Sequence, residues 1–124
     1  MLRPGGRIAS FELDCAATVL TGDPAPAELA CGRLCDSVGE PQMGRLLPGL
    51  LREAGLVDVT FRPVAFRPPE LNEAIFYSNV RAAVDDGRLP AAVTAWLGEQ
   101  AVAGAAGMFT VGWIGWLAAG RVPA

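Results

Sequence analysis

Residues 2–14 of the chain read LRPGGRIASFELD and predict a tight turn that leads into a short strand. Pro4 sets the backbone angle of the second position of a β-turn, and Gly5 supplies the positive φ that a type II turn needs next. Residues 3–6 are therefore expected to form this turn. The following strand carries apolar side chains on both faces, namely Ile8, Ala9, Phe11 and Leu13. This pattern is typical of a strand that is buried on both sides of a mostly parallel sheet.

Two carboxylates, Glu12 and Asp14, stand at the C-terminal end of this predicted strand. Open α/β sheets bind their ligands beside the C-terminal ends of their strands. Glu12 and Asp14 are therefore candidates for substrate binding, where a carboxylate orients an acceptor hydroxyl or amine or takes its proton. The alternative is that both are solvated carboxylates at a strand end, and the sequence leaves the two interpretations open.

The composition is that of a folded domain rather than of a disordered chain. Of the 124 residues, 52% are hydrophobic and 19% are charged, which suits one small domain. The net charge is −3 and the arginines form no basic stripe, so nucleic-acid binding is not expected. The sequence contains no histidine, which removes the commonest general base and the triads built on it.

The three cysteines, Cys15, Cys31 and Cys35, predict reduced and partly buried thiols in a cytoplasmic protein. An odd number of cysteines, without a signal-peptide pattern, argues against a disulfide framework. Cys31 and Cys35 would make a poor zinc half-site, since only one further thiolate and no histidine could complete it. No metal is therefore expected.

Periodicity predicts the remaining elements. Helices are expected over residues 27–38, 43–54, 69–84 and 89–100, strands over 57–66 and 108–118, and a loop over 21–26. Pro48 is expected to kink the second helix or to place its start near Leu47. Gly55 and Leu56 are expected to end that helix in a Schellman-type turn.

The two later strands differ in their predicted positions within the sheet. Pro63 places the strand 57–66 at the side of the sheet, because proline in a strand is tolerated mainly at an edge. The strand 108–118 is apolar on both faces, which places it at the centre. A transmembrane helix over residues 101–120 is the alternative, since this run is uncharged and long enough. Its many glycines disfavour a helix, so a buried strand is preferred.

Two motifs taken together resemble the C-terminal half of class I S-adenosylmethionine-dependent methyltransferases. They are LRPGGR at residues 2–7 and LREAGL at residues 51–56, and the chain looks most similar to the ubiquinone and menaquinone biosynthesis branch. In that family the first motif precedes strand five, the second leads into strand six, and a final antiparallel strand inserts between them. The resemblance implies an α/β, Rossmann-like half domain. It would have about three strands, with the last antiparallel and central, and about four helices.

The same resemblance implies S-adenosyl-L-methionine as cofactor and methyl transfer to a small-molecule acceptor. The family's glycine-rich loop after strand one and its acidic residue after strand two have no counterpart here, so no catalytic or cofactor-binding residue is carried over. Residues 1–124 are therefore expected to be one partial domain, a split or truncated methyltransferase that is inactive alone. Its substrate-side helical cap would cover about residues 69–103. Tyr77, the only tyrosine, either faces the acceptor from this cap or packs in its core.

Two other classes of function compete with this interpretation. One is a non-enzymatic binding or oligomerisation module, completed by a partner chain that pairs with the strand at residues 8–13. The other is a small protein anchored in a membrane by residues 101–120. The expected partners are a small-molecule acceptor and either a second copy or a missing N-terminal half. The isolated chain is expected to be marginally stable, aggregation-prone or oligomeric, because one strand edge and several apolar faces would lack a cover.

Overall fold

A computed structural model describes residues 2–124, which form a mixed α/β fold, as predicted. The described residues contain four helices and four strands. The helices are α1 (Pro24–Asp36), α2 (Met43–Glu53), α3 (Glu70–Asp85) and α4 (Val93–Ala105). The strands are β1 (Arg7–Leu13), β2 (Val19–Leu20), β3 (Val57–Phe66) and β4 (Val111–Arg121), and a 3-10 turn at Cys15–Ala17 follows β1.

The last strand, β4, is the centre of the sheet. It pairs with β1 along one edge and with β3 along the other, while the short β2 joins it on a separate stretch near its start. Every pairing within residues 2–124 is antiparallel. As a consequence β1 and β3 run in the same direction on either side of a reversed β4.

The sheet confirms two predictions and corrects a third. The last strand is antiparallel and central, and β3 with its Pro63 lies at the side. The prediction that β1 is buried on both faces of a mostly parallel sheet is wrong. Within residues 2–124, β1 is itself an edge strand that pairs with β4 alone, and Phe11 is 44% exposed. Apolar side chains on both faces of a strand do not by themselves mean that other elements cover both faces.

The turn before β1 forms as predicted. Gly5 has a φ of +75°, and the Gly6 N–H donates to the Arg3 carbonyl at 2.8 Å. The Gly6 carbonyl in turn accepts a hydrogen bond of 2.8 Å from the Val122 N–H. The turn therefore brings the start of β1 to the end of β4.

The end of α2 also forms as predicted. The Gly55 N–H donates to the Arg52 carbonyl at 2.9 Å, and the Leu56 N–H donates to the Leu51 carbonyl at 3.1 Å. Gly55 has a φ of +84°, which is the left-handed geometry of a Schellman turn. This turn directs the chain into β3.

Several predicted boundaries are wrong at the starts of elements. The predicted loop 21–26 includes the first turn of α1, where prolines lose no hydrogen bond and the Asp23 side chain accepts from the Ala25 N–H at 3.2 Å. Helix α2 begins at Met43, as the predicted range 43–54 has it, and continues through the buried Pro48, so the alternative start near Leu47 is wrong. The burial of its apolar side compensates for the backbone hydrogen bond that proline cannot donate.

The uncharged run at residues 101–120 is not one helix. Its first residues end α4, a left-handed Gly107 stops that helix, and β4 begins at Val111 rather than at Met108. Helix α4 also starts and ends later than the predicted 89–100. Within the described residues, no helix is both long enough and apolar enough to cross a membrane.

The hydrophobic interior is divided into two clusters. One lies inside the unit of α1, α3 and α4, which we call the helical unit, and includes the buried Trp96 and Val80. The other lies between α2 and the sheet and includes Leu47, Leu51 and Ala118 of β4. Helix α2 therefore covers one face of the sheet. On the opposite face, which we call the open face, Phe11 of β1 stacks against Phe66 of β3, with ring centroids 5.9 Å apart.

At Gly44, α2 approaches the sheet so closely that a side chain does not fit. A Cβ at this position would lie 2.6 Å from the Glu12 carbonyl oxygen and 2.8 Å from Cδ1 of Trp116. Gly44→Ala is therefore expected to lower the free energy of unfolding by about 1–3 kcal/mol, because the helix must move away from the backbone of β1. Urea unfolding followed by circular dichroism measures this change.

Gly49→Ala is the matched control, since the same helix leaves open space around Gly49. It is expected to be neutral or to stabilise by up to about 1 kcal/mol through helix propensity. Equal effects of the two substitutions would contradict the placement of α2 on the sheet.

Candidate functional site

Asp14 lies directly after β1 and is only 2% exposed. Its carboxylate accepts two hydrogen bonds from Arg45 of α2, from Nε at 2.5 Å and from Nη2 at 3.0 Å. The hydrogen bond to Asp14 raises the pKa of Arg45. The Asp14 N–H also donates to the Ile114 carbonyl of β4 at 2.8 Å. Asp14 therefore fastens the end of β1 to both α2 and β4, and it would have to release Arg45 before it acted as a base.

Glu12 stands two residues before Asp14, and it is exposed. Alternation along a strand places the two carboxylates on the same face of β1. That face is the one covered by α2, because the Glu12 carbonyl lies against Gly44. The sequence therefore predicted the position of both carboxylates at the strand end, but their surroundings differ: one is solvated and the other is buried in a bidentate ion pair.

A small apolar cavity of about 160 Å³ lies beside Asp14. Its walls come from the end of β1, the 3-10 turn, α1 and β4. The cavity is lined by Leu13, Cys15 and Thr18, which are close to Asp14 in the chain. Its facing wall includes Leu34 and Trp113. The volume suits a small acceptor group rather than a large ligand.

Tyr77 is half-buried on α3, and its hydroxyl belongs to a chain of polar groups. It donates to Oγ1 of Thr110 at 2.8 Å, and the Thr110 hydroxyl donates to Oε1 of Glu73 at 2.9 Å. Nε of Arg67 lies 3.6 Å from Oε2 of Glu73. Burial raises the pKa of Tyr77, so its hydroxyl stays protonated at neutral pH. This chain fastens α3 to the residue that precedes β4.

A second polar network fastens α4 to the same place. The indole N–H of Trp96 and the amide of Gln100 both donate to the Thr21 carbonyl, at 3.0 and 3.1 Å. The Thr21 N–H donates to the Thr110 carbonyl at 3.1 Å. Sequence reasoning missed the polar partners of this network. For Thr110 the available signal was a polar residue inside an apolar stretch, whereas Gln100 follows Glu99 and carries no such signal.

The three predicted site residues do not meet in one pocket. Asp14 bonds to β4 at Ile114, whereas Tyr77 bonds to Thr110, which lies just before the start of β4. At about 3.3 Å per residue, these two contact points are roughly 13 Å apart along the chain. The cavity beside Asp14 is lined neither by Glu12 nor by Tyr77. The structure thus brings all three residues to the same end of the sheet, with Tyr77 in the packing between the helical unit and β4.

The cysteines lie near this end of the sheet, and all three are free and half-buried. Sγ of Cys31 lies 3.8 Å from the Cys15 carbonyl oxygen. Burial, together with the neighbouring Cys35, raises the pKa of Cys31 to about 11. A thiol with so high a pKa is a poor nucleophile at neutral pH. The described residues contain no group of three or more side chains that could hold a metal ion.

Comparison with known proteins assigns no family to the chain. A scan against models of protein families finds no match, and a search of curated proteins finds none either.

Thr110 offers a direct test of the junction between the helical unit and β4. Thr110→Val is expected to lower the free energy of unfolding by about 1–3 kcal/mol, because Thr110 is buried and its loss leaves the hydroxyl of the half-buried Tyr77 without its acceptor. Thr60→Val, at an exposed position of β3, is the control and is expected to change stability by less than about 0.5 kcal/mol. Urea unfolding of both variants measures the difference, and equal midpoints would contradict the role of this hydroxyl.

Proposed function

We propose that the chain is the C-terminal half of a class I S-adenosylmethionine-dependent methyltransferase domain, which acts on a small-molecule acceptor once the cofactor-binding half is present. The observation that carries this proposal is the order β1–β4–β3, in which the last strand is inserted antiparallel between two strands of the same direction. The two resembling motifs agree with this order, since LRPGGR precedes β1 and LREAGL leads from α2 into β3.

The connection from β1 to β3 supports the proposal further. Strands that follow each other in an antiparallel meander are usually neighbours. Here β1 and β3 leave a gap of one strand, α2 crosses one face of the sheet between them, and β4 fills the gap. This arrangement is the one that the resemblance implies for strands five, seven and six.

The residues of this chain do not by themselves fit the cofactor. Binding would need a glycine-rich loop that follows a strand and opens a helix. In the described residues, the left-handed glycines Gly55, Gly87 and Gly107 instead follow the ends of helices. Gly22 does lie between β2 and α1, but it is the only glycine of that short connection, so no glycine-rich loop is formed there. The proposal therefore assigns the cofactor to a separate half of the domain, and no reaction step is derived from this chain.

We assign the acceptor side to this chain. The acceptor would occupy the apolar cavity beside Asp14. This cavity lies at the C-terminal end of β1, where open α/β sheets bind ligands. The predicted cap at residues 69–103 corresponds to α3 and most of α4, which the Thr110 contacts hold against β4. Asp14 and Arg45 would fix the shape of this end, and positioning of the acceptor is what such residues contribute to the rate.

Fusion to a cofactor half tests the proposal. The chain is fused behind the N-terminal half of a class I methyltransferase that ends before its strand five, and S-adenosylmethionine is titrated in a calorimeter. We expect no heat with the chain alone and saturable binding with the fusion, because β1 completes the donor's sheet. The control is the same fusion without residues 111–124, which lacks β4 and should not bind.

Two outcomes would contradict the proposal. Binding by the chain alone would place a cofactor site within these residues. Equal binding by the fusions with and without residues 111–124 would show that the chain contributes nothing to the fold of the donor half.

The second candidate function is a binding module completed by a partner strand, and the outer edge of β1 favours it. The Gly6 carbonyl accepts from Val122, just beyond β4, and the Asp14 N–H donates to Ile114 of β4. The even-numbered residues between Gly6 and Asp14 therefore also direct their backbone polar groups to β4. Odd-numbered residues, such as Ala9 and Phe11, direct their backbone N–H and C=O groups to the outer, unpaired edge of β1. Exposed Leu46 and Leu50 of α2 add apolar surface to the protein.

Self-association of the chain tests this second candidate. We expect light scattering to show a mass that rises with concentration, because unpaired strand edges accept further strands. Ala9→Pro removes an outward N–H without breaking a bond to β4, and it is expected to weaken association by about tenfold or more. Leu71→Asp, an exposed position on α3, is the control. A monomer at all concentrations, or equal effects of both changes, would contradict the second candidate.

A further inference from the structure

A groove of about 220 Å³ lies between α1 and α3, within the helical unit. Its apolar floor includes Phe76 and Val80, which are 6% and 1% exposed. Polar side chains surround this floor, namely Arg33, Ser37, Asn79 and Arg88. The groove shares only Leu34 with the cavity beside Asp14, so it is a distinct site.

Arg33 is the unusual member of this groove because it is half-buried and has no counter-charge. Arg121, which is also half-buried, pairs with Asp58 at 2.8 Å. Within residues 2–124 neither a carboxylate nor an aromatic ring partners Arg33. A guanidinium has five donors, and removing it partly from water without an acceptor costs free energy.

Arg88 supplies a second guanidinium on the other side of the groove. It lies just beyond the end of α3, where its N–H donates to the Ala83 carbonyl at 2.8 Å and fixes the backbone. Asp86 accepts from Nη2 of Arg88 at 2.7 Å, which leaves the other donors of that guanidinium available. Arg33, Arg88 and Asp86 together carry one net positive charge. The groove therefore combines two guanidinium groups with an apolar floor.

We propose that this groove binds a small organic monocarboxylate. The carboxylate would accept hydrogen bonds from Arg33 and Arg88, because a guanidinium fork matches its two oxygens. The apolar body of the ligand would lie on Phe76 and Val80. The volume limits the ligand to a short chain or a single ring. This inference does not depend on the proposed methyltransferase function.

Titration of hexanoate into the full chain, followed by amide NMR shifts, tests this site. We expect saturable shifts that centre on Ser37, Asn79 and Val80. Arg33→Gln is expected to weaken binding by about tenfold or more, since it removes a charged hydrogen bond. Arg81→Gln is the matched control: it removes the same charge from an exposed position of α3 outside the groove, and it should change affinity less than about twofold.

Two further probes separate the contributions of charge and apolar surface. Hexanamide keeps the chain but not the charge, and it is expected to bind about tenfold more weakly than hexanoate. Inorganic phosphate keeps a charge but has no apolar body, and it is expected not to saturate where hexanoate does. Arg88→Gln provides a second variant if Arg33→Gln fails to fold.

The proposal is overturned by any of three results. The first is the absence of saturable shifts with hexanoate. The second is an equal effect of Arg33→Gln and Arg81→Gln, which would mean that Arg33 serves only the C-terminal end of α1. The third is phosphate binding as tight as that of hexanoate, which would make the groove a simple oxyanion site.

Discussion

The insertion of β4 between β1 and β3 is the interaction on which the rest of the structure depends. Ala118 of β4 is the sheet residue beneath the buried side of α2, and Thr110 before its start anchors the helical unit. Val122 beyond its end holds the turn that begins β1. Without β4, the first strand would have no partner in the described residues, and α2 would lose the strand that it contacts most, although it also packs on β1 and β3. The final segment therefore organises elements that precede it by more than a hundred residues.

This arrangement leaves strand edges and apolar side chains exposed at the surface. A reversed central strand satisfies one edge each of β1 and β3, and it leaves their outer edges unpaired within residues 2–124. The open face carries an aromatic cluster of Phe11, Phe66 and Trp113, partly exposed to solvent. Apolar surface beside an unpaired edge is what a further strand would cover. Both candidate functions rest on this unpaired edge and its exposed apolar surface. They differ in whether the segment proposed to cover them also binds a cofactor.

Local geometry was predictable from the sequence, and long-range partners were not. Pro4-Gly5 and Gly55-Leu56 specify their turns through φ alone, and the two apolar faces of β4 specify its central position. The same reasoning failed for β1, because an apolar face does not say whether another element covers it. The partner of Asp14 was invisible because Arg45 lies 31 residues away and nothing in the spacing links them. The alternative start of α2 near Leu47 failed for a related reason: the burial of Pro48 outweighs its local penalty and lets the helix begin at Met43.

Hydrogen exchange of the backbone amides, measured by NMR, tests the central position of β4 most directly. The account predicts that consecutive amides from Gly115 to Ala119 are all protected, because β4 bonds on both sides there. It predicts alternating protection in β1, with Ile8 and Ser10 slow and Ala9 and Phe11 fast. Alternating protection in β4, or uniform protection in β1 of the monomer, would contradict the inserted strand.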